Sequence, residues 1–295
     1  MKKIVFEGCA TAMVTPMCED GSVNLNGVKS MVEKQITGGV DALVICATTG
    51  ESATLNYKEH LEVIDAAVKQ AGGRVPIIAS AGSNDTVYSV GLCNDALKLG
   101  ADAILSVTPY YNKTSQAGLI RHYNYIADRV DAPIIVYNVP SRTGVNILPS
   151  TYKEISKHPN IVATKEANGN LSSVLETISL CGDDLTVYSG NDDQIVPIMS
   201  LGGRGVISVA SNLLPKEMHD LTKLCLNGDF KAAAREAIKY CGLMKALFMD
   251  INPIPIKDAL RLAGMDAGHC RLPLIDLNEE QLKKLKFEME KLNII

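Results

Sequence analysis

Apolar positions along the chain follow two alternating rhythms. Short runs at 9–14, 42–46, 76–79, 103–107, 133–137, 161–164, 186–189 and 205–209 have the length and composition of buried strands. Between them the spacing turns helical. Leu25, Val28, Val32 and Ile36 share one helical face, as do Leu61, Ile64, Val68 and Ala71. Val87, Val90, Asn94 and Leu97 repeat the pattern with one polar lapse. Asn56-Tyr57-Lys58-Glu59 has the form of a capping box opening the second helix, and Gly72-Gly73 and Gly100 stop two helices. Gly39-Val40-Asp41-Ala42-Leu43 and Gly100-Ala101-Asp102-Ala103-Ile104 are a faint internal repeat, each running from a helix-ending glycine into a strand.

Eight strands, each followed by a helix, predict an α/β fold, a (β/α)8 TIM barrel over residues 1–226. No G-x-G-x-x-G follows the first strand, which speaks against a dinucleotide-binding sheet. Beyond residue 226 the strands stop. Helical spacing at 229–249, 255–263 and 278–292 predicts a C-terminal helical appendage over 227–295.

Composition narrows the function classes. A net charge of −4 without a basic run excludes an electrostatic footprint for nucleic acid. No apolar run approaches the ~20 residues of a membrane span, and the N-terminus reaches Glu7 too soon for a signal peptide. The eight cysteines include no C-x-x-C pair and suit reduced thiols in a cytoplasmic protein.

Active sites of such barrels lie at the C-terminal ends of the strands. Those ends carry Thr48-Thr49-Gly50-Glu51-Ser52, Thr108-Pro109-Tyr110-Tyr111-Asn112, Tyr137-Asn138-Val139-Pro140-Ser141-Arg142-Thr143-Gly144, Lys165, Ser189-Gly190-Asn191-Asp192, and Ile207-Ser208. The histidines at 60, 122, 158, 219 and 269 are scattered away from them. That disfavours a metal site and a Ser-His-Asp hydrolase. An amine with hydroxyls remains: Lys165, Tyr137, Tyr111, Thr48 and Thr49.

Strand periodicity puts Ile161, Ala163 and Lys165 on one face. If that face is the barrel interior, Lys165 is a partly desolvated amine able to attack a ketone and form a Schiff base. A solvated lysine at a strand end is the alternative for Lys165, and rim packing is the alternative for each tyrosine. Glu51 and Asp192 suit loop bracing better than acid–base work. Gly202-Gly203-Arg204-Gly205 reads as a tight turn before strand 8 more readily than as a phosphate cradle.

Thr48-Thr49-Gly50-Glu51-Ser52-Ala53-Thr54-Leu55, Thr108-Pro109-Tyr110-Tyr111-Asn112, Tyr137 through Gly144, Lys165-Glu166-Ala167 and Asn252-Pro253-Ile254-Pro255 resemble the 4-hydroxy-tetrahydrodipicolinate synthase (dihydrodipicolinate synthase) family. This family is one of the pyruvate-dependent class I aldolases, together with N-acetylneuraminate lyase. The likeness spans about 8–273, and Ser141-Arg142-Thr143-Gly144 separates the synthases from the sugar-acid lyases.

The resemblance implies a lyase that needs no cofactor and no metal. It would condense pyruvate with aspartate-4-semialdehyde, then cyclise and lose water, toward diaminopimelate and lysine. Lys165 would form the Schiff base. Tyr137 would move protons, linked through Thr48 to a Tyr111 supplied by the neighbouring subunit of a dimer, two dimers forming a tetramer. Thr49, Gly190 and the Ile207 backbone would hold pyruvate, and Arg142 the aldehyde's carboxylate. Some members bind inhibitory lysine at the dimer interface. Of that motif Ser52, Ala53, Leu55, His60, Asn84 and Tyr110 match, while Tyr88 replaces a glutamate and Tyr57 a histidine, so feedback is expected to be weak. The competing expectations are a pyruvate-forming retro-aldolase of 2-keto-3-deoxy sugar acids, N-acetylneuraminate lyase-like, which Arg142 disfavours, and a non-catalytic pyruvate-binding barrel.

Overall fold

The computed structural model describes residues 2–295. Eight parallel strands close into a barrel in sequence order. They are β1 (Gly8–Ala12), β2 (Ala42–Ile45), β3 (Ile77–Ser80), β4 (Ala103–Val107), β5 (Ile134–Asn138), β6 (Ile161–Glu166), β7 (Thr186–Ser189) and β8 (Gly205–Ser208). Each lies within two residues of the run read from the sequence, and β1 closes the ring on β8, with Ala10 opposite Ile207. The helices α1 (Leu25–Thr37), α2 (Tyr57–Ala71), α3 (Thr86–Lys98), α4 (Gln116–Ala127), α5 (Pro140–Thr143), α6 (Pro149–Ile155), α7 (Leu171–Cys181), α8 (Ile195–Ser200) and α9 (Pro215–Leu226) run between and after the strands. Three more follow: α10 (Phe230–Ala246), α11 (Ile254–Leu262) and α12 (Glu279–Lys291). The capping box at Asn56 and Glu59 is formed, and Gly72 closes α2 in the left-handed conformation.

The core has two layers. Ala10, Ala42, Val44, Ala103, Leu105, Ile135, Tyr137, Ala163, Tyr188 and Ile207 fill the barrel, and a larger set joins its outer face to the helices. Phe6 stacks on Tyr188 with ring centroids 4.2 Å apart, and the Tyr188 hydroxyl donates to the Phe6 carbonyl at 2.7 Å. These two buried rings plug the N-terminal end of the barrel.

Two expectations change and a third holds. Ile161 and Ala163 pair with the consecutive residues Ile134 and Ile135, so β6 carries one extra residue there. Ile161 therefore packs in the outer layer, while Ala163 lies inside; a bulge breaks the two-residue period. On α3 the buried residues are Ser89, Leu92, Cys93 and Ala96, and Val87 is 67% exposed. Small and sulfur-bearing side chains permit the close approach around Leu92, while Val90 and Leu97 pack only at its edge and Val87 faces out. Gly202 and Gly203 lie before β8 and therefore at the closed end, where their N–H groups bond back to Met199 and Ile198. That is the tight turn, far from any rim phosphate.

Candidate active site

Lys165 stands on the inner face near the end of β6 and is 3% exposed. Tyr137 on β5 is its register partner, and the Lys165 Nζ lies 4.4 Å from the centre of the Tyr137 ring. Burial pulls the lysine's pKa from 10.5 down to about 7; the Asp192 charge opposes that shift and the Arg142 charge adds to it. An amine normally charged at neutral pH is thus close to half neutral, a gain of about a thousandfold in free base. The same burial raises the Tyr137 phenol above its ordinary value, with Arg142 and a hydrogen bond from Thr48 drawing it back and Glu166 pushing it up. Tyr137 is therefore held as the neutral phenol, able to give a proton and take it back through the Thr48 hydroxyl.

The loop after β2 supplies Thr48 and Thr49. Thr49 is buried, and its hydroxyl accepts from the Asn252 side-chain amide at 3.0 Å. Arg142 sits on the short helix α5 directly after β5 and donates to the Asn252 carbonyl at 3.4 Å, leaving its guanidinium exposed at the mouth. Asn252 thus ties Thr49 to Arg142 from the segment before α11. Periodicity gave no signal for this tie, which joins residues 203 positions apart. Gly190 follows β7, where a Cβ would stand 3.0 Å from the Glu166 carbonyl and 2.8 Å from the Ala167 side chain, so only glycine fits. Ile207 lies on the inner face of β8 opposite Ala10.

The two carboxylates near the rim brace loops. Asp192 is buried and accepts from the Val209 and Ala210 N–H groups at 3.1 and 2.9 Å. Glu51 holds a left-handed backbone, with φ of 56°. It forms a fully buried ion pair with Lys257 of α11 at 2.5 Å and accepts from the Arg271 N–H at 2.8 Å. A conformation unfavourable to a non-glycine residue is thereby held beneath Thr48 and Thr49.

Tyr111 is not gathered into this group. It is 91% exposed on the loop after β4, with φ of 68°. Tyr110, Tyr88, Tyr57 and Val87 are exposed as well, Tyr57 and Tyr88 meeting edge to face at 5.7 Å. The Tyr57 hydroxyl donates to Asp95 at 2.7 Å. Near this patch Leu55 and His60 are buried, Ser52 and Asn84 are half-buried and Ala53 is exposed. Among the described residues no cluster of three or more His, Cys, Asp or Glu side chains could hold a metal ion, and no helix is long and apolar enough to cross a membrane.

Comparison with known proteins bears directly on this arrangement. The chain is 46% identical over 295 residues to the 4-hydroxy-tetrahydrodipicolinate synthase of Acetivibrio thermocellus, covering 100% of both chains. It is 49% identical over 282 residues to that of Caldicellulosiruptor saccharolyticus, covering 96% of this chain and 95% of the other. The crystal structure of dihydrodipicolinate synthase from Aquifex aeolicus superimposes with a TM-score of 0.95 at 42% identity, over 98% of this chain and 99% of that one. The profile of the Dihydrodipicolinate synthetase family matches residues 5–292, and the chain belongs to that family.

Proposed function

We propose that this protein condenses pyruvate with aspartate-4-semialdehyde to give 4-hydroxy-tetrahydrodipicolinate, through a Schiff base on Lys165. The observation that carries the reading is a buried amine 4.4 Å from the ring of a buried phenol at the C-terminal end of a barrel, where burial draws the amine down to about 7. The free amine of Lys165 adds to the ketone carbon of pyruvate. Tyr137 gives a proton to the departing hydroxyl, water leaves, and the imine forms. Loss of a methyl proton gives an enamine, whose carbon attacks the aldehyde. Tyr137, replenished through Thr48, then protonates the new alkoxide. The semialdehyde's own amine displaces Lys165 and closes the ring, and the lysine is regenerated.

Thr49, Gly190 and the Ile207 backbone would hold the pyruvate carboxylate. Arg142 has the planar donor fork that a second carboxylate requires. A retro-aldolase acting on neutral sugar-acid chains has no use for that cation at the mouth. The exposure of Tyr111 and its aromatic neighbours suits a dimer in which Tyr111 completes the partner's relay, within a homotetramer. Eight unpaired cysteines go with a reducing, cytoplasmic setting.

Borohydride reduction in the presence of pyruvate, followed by peptide mapping, tests the reading. The adduct is expected on Lys165 and absent from Lys165→Arg. Turnover is expected with aspartate-4-semialdehyde and not with 2-keto-3-deoxy sugar acids. An unlabelled Lys165, or turnover of sugar acids alone, refutes it.

A further inference from the structure

Directly behind the reactive pair, on the opposite face of the same two strands, lies a second buried pair that the chemistry above does not use. Asn138 follows Tyr137 and Glu166 follows Lys165. The register of β5 and β6 sets Asn138 against Glu166 just as it sets Tyr137 against Lys165. Asn138 is fully buried and Glu166 is 3% exposed. The Asn138 amide donates to both carboxylate oxygens, at 3.0 and 3.2 Å, and to the Asn146 side chain at 2.8 Å. Its carbonyl oxygen accepts from the Ile147 N–H at 3.1 Å, which fixes the loop after the Arg142 helix. Glu166 also accepts from the Tyr152 hydroxyl at 2.9 Å and the Asn168 N–H at 2.9 Å, and its main-chain carbonyl accepts from Gly190 at 2.7 Å.

We propose that Glu166 and Asn138 are positioning residues: a clamp on the outer face of β5 and β6 that fixes the separation and tilt of Lys165 and Tyr137 on the inner face. Successive residues of a strand point to opposite faces, so a side-chain bridge one residue along sets the twist of the strand pair where the amine and phenol meet. An ordinary parallel ladder leaves its strand ends free to fray. Here four hydrogen bonds converge on a single carboxylate, two from the Asn138 amide across the strand pair, one from the Tyr152 hydroxyl and one from the Asn168 N–H. The clamp needs acceptors rather than charge. A glutamine in place of Glu166 could turn its oxygen to Asn138 and Asn168 and its NH2 to the Tyr152 hydroxyl, whose proton passes to Thr164, 3.0 Å away.

The proposal rests on Lys165 and Tyr137 doing the chemistry, and the test separates the two ideas. The full-length protein would be compared with Glu166→Leu, Glu166→Gln and Asn138→Ala, with Tyr123→Phe as a control that removes a buried hydroxyl elsewhere. In each, pyruvate trapped by borohydride counts competent sites, and kcat is expressed per trapped site. Glu166→Leu and Asn138→Ala are expected to lose roughly 10–100-fold in kcat and in trapping rate, since displacement of reacting groups by about 1 Å costs that much. KM for the aldehyde should stay within about threefold, and Glu166→Gln should retain kcat within about threefold. Should Glu166→Leu not fold, Asn138→Ala alone decides. A kcat per site that is unchanged, or that falls equally in Tyr123→Phe, overturns the clamp. So does a Glu166→Gln as damaged as Glu166→Leu, which would make the charge itself essential. A native protein that fails to trap pyruvate at Lys165 overturns the function reading instead.

Discussion

The rate at which pyruvate is captured should titrate with the amine itself. With Lys165 at about 7, the free-base fraction is about 9% at pH 6 and about 91% at pH 8. Capture should therefore rise about tenfold over that interval and then flatten. A lysine at its ordinary value would rise about a hundredfold over the same interval and keep climbing to about pH 10. The assay is single-turnover trapping with cyanoborohydride, quenched at intervals and read as adduct mass on the Lys165 peptide. The charges around the site give a second handle. Burial dominates the shift, Asp192 raises the value and Arg142 lowers it. Arg142→Gln should thus move the limb to higher pH and Asp192→Asn to lower pH. A limb of slope two would mean that Glu166, raised by burial to about 7 on the other strand face, must ionise as well. A straight climb through pH 9 would refute the claim that burial has made Lys165 a neutral nucleophile.

Lysine should inhibit weakly or not at all. Loss of a carboxylate partner for its ammonium, where Tyr88 stands, weakens binding by about 2–5 kcal/mol, tens- to thousands-fold, and inhibition in the micromolar range would contradict this. Lys257→Met leaves Glu51 charged and unpaired in a site of near-zero exposure, so it should lower unfolding stability by about 3–5 kcal/mol in urea titrations. The pair Lys257→Met with Glu51→Gln should recover most of that loss; no recovery would refute the account. Lys165→Met should stabilise the fold by up to about 5 kcal/mol below pH 7, an advantage that fades between about 7 and 10.5 because the unfolded lysine holds its proton over that window. A pH-independent difference in urea midpoints would contradict it.

The barrel was legible because its strands are short apolar runs at βα spacing, and parallel strands covered on both faces carry little else. Lys165, Tyr137, Thr48, Thr49 and Arg142 were legible because polar residues ending apolar strands have few structural reasons to be there, and the family likeness gave them roles. The bulge at Val162 was not legible, because a single inserted residue leaves composition unchanged and alters only the phase. The burial of Ser89 and Cys93 on α3 was hidden because tight packing selects small side chains, which hydrophobic periodicity undercounts. Asn252 and Lys257 were beyond reach for another reason. Their partners, Thr49 and Glu51, are some 200 residues away in the chain, and only the packing of the C-terminal helices onto the barrel makes them neighbours.

Lys165 and Glu166 show how one strand serves two ends. Burial removes water from both, and the charged form suffers in each, so the amine falls to about 7 and the carboxylate rises to about 7. Below about 4.5 both folded and unfolded states carry a neutral Glu166, and above about 10.5 both carry a neutral Lys165, so the two penalties overlap most near neutrality. A fold selected for stability alone would place apolar residues at both positions. The charges are tolerated because an apolar set fills the barrel interior beside them, and because every strand end nearby is tied: Gly190 to Glu166, Ala210 to Asp192, Thr49 to Asn252. The destabilisation is confined to the open mouth, where an uncharged amine is the reagent the reaction needs.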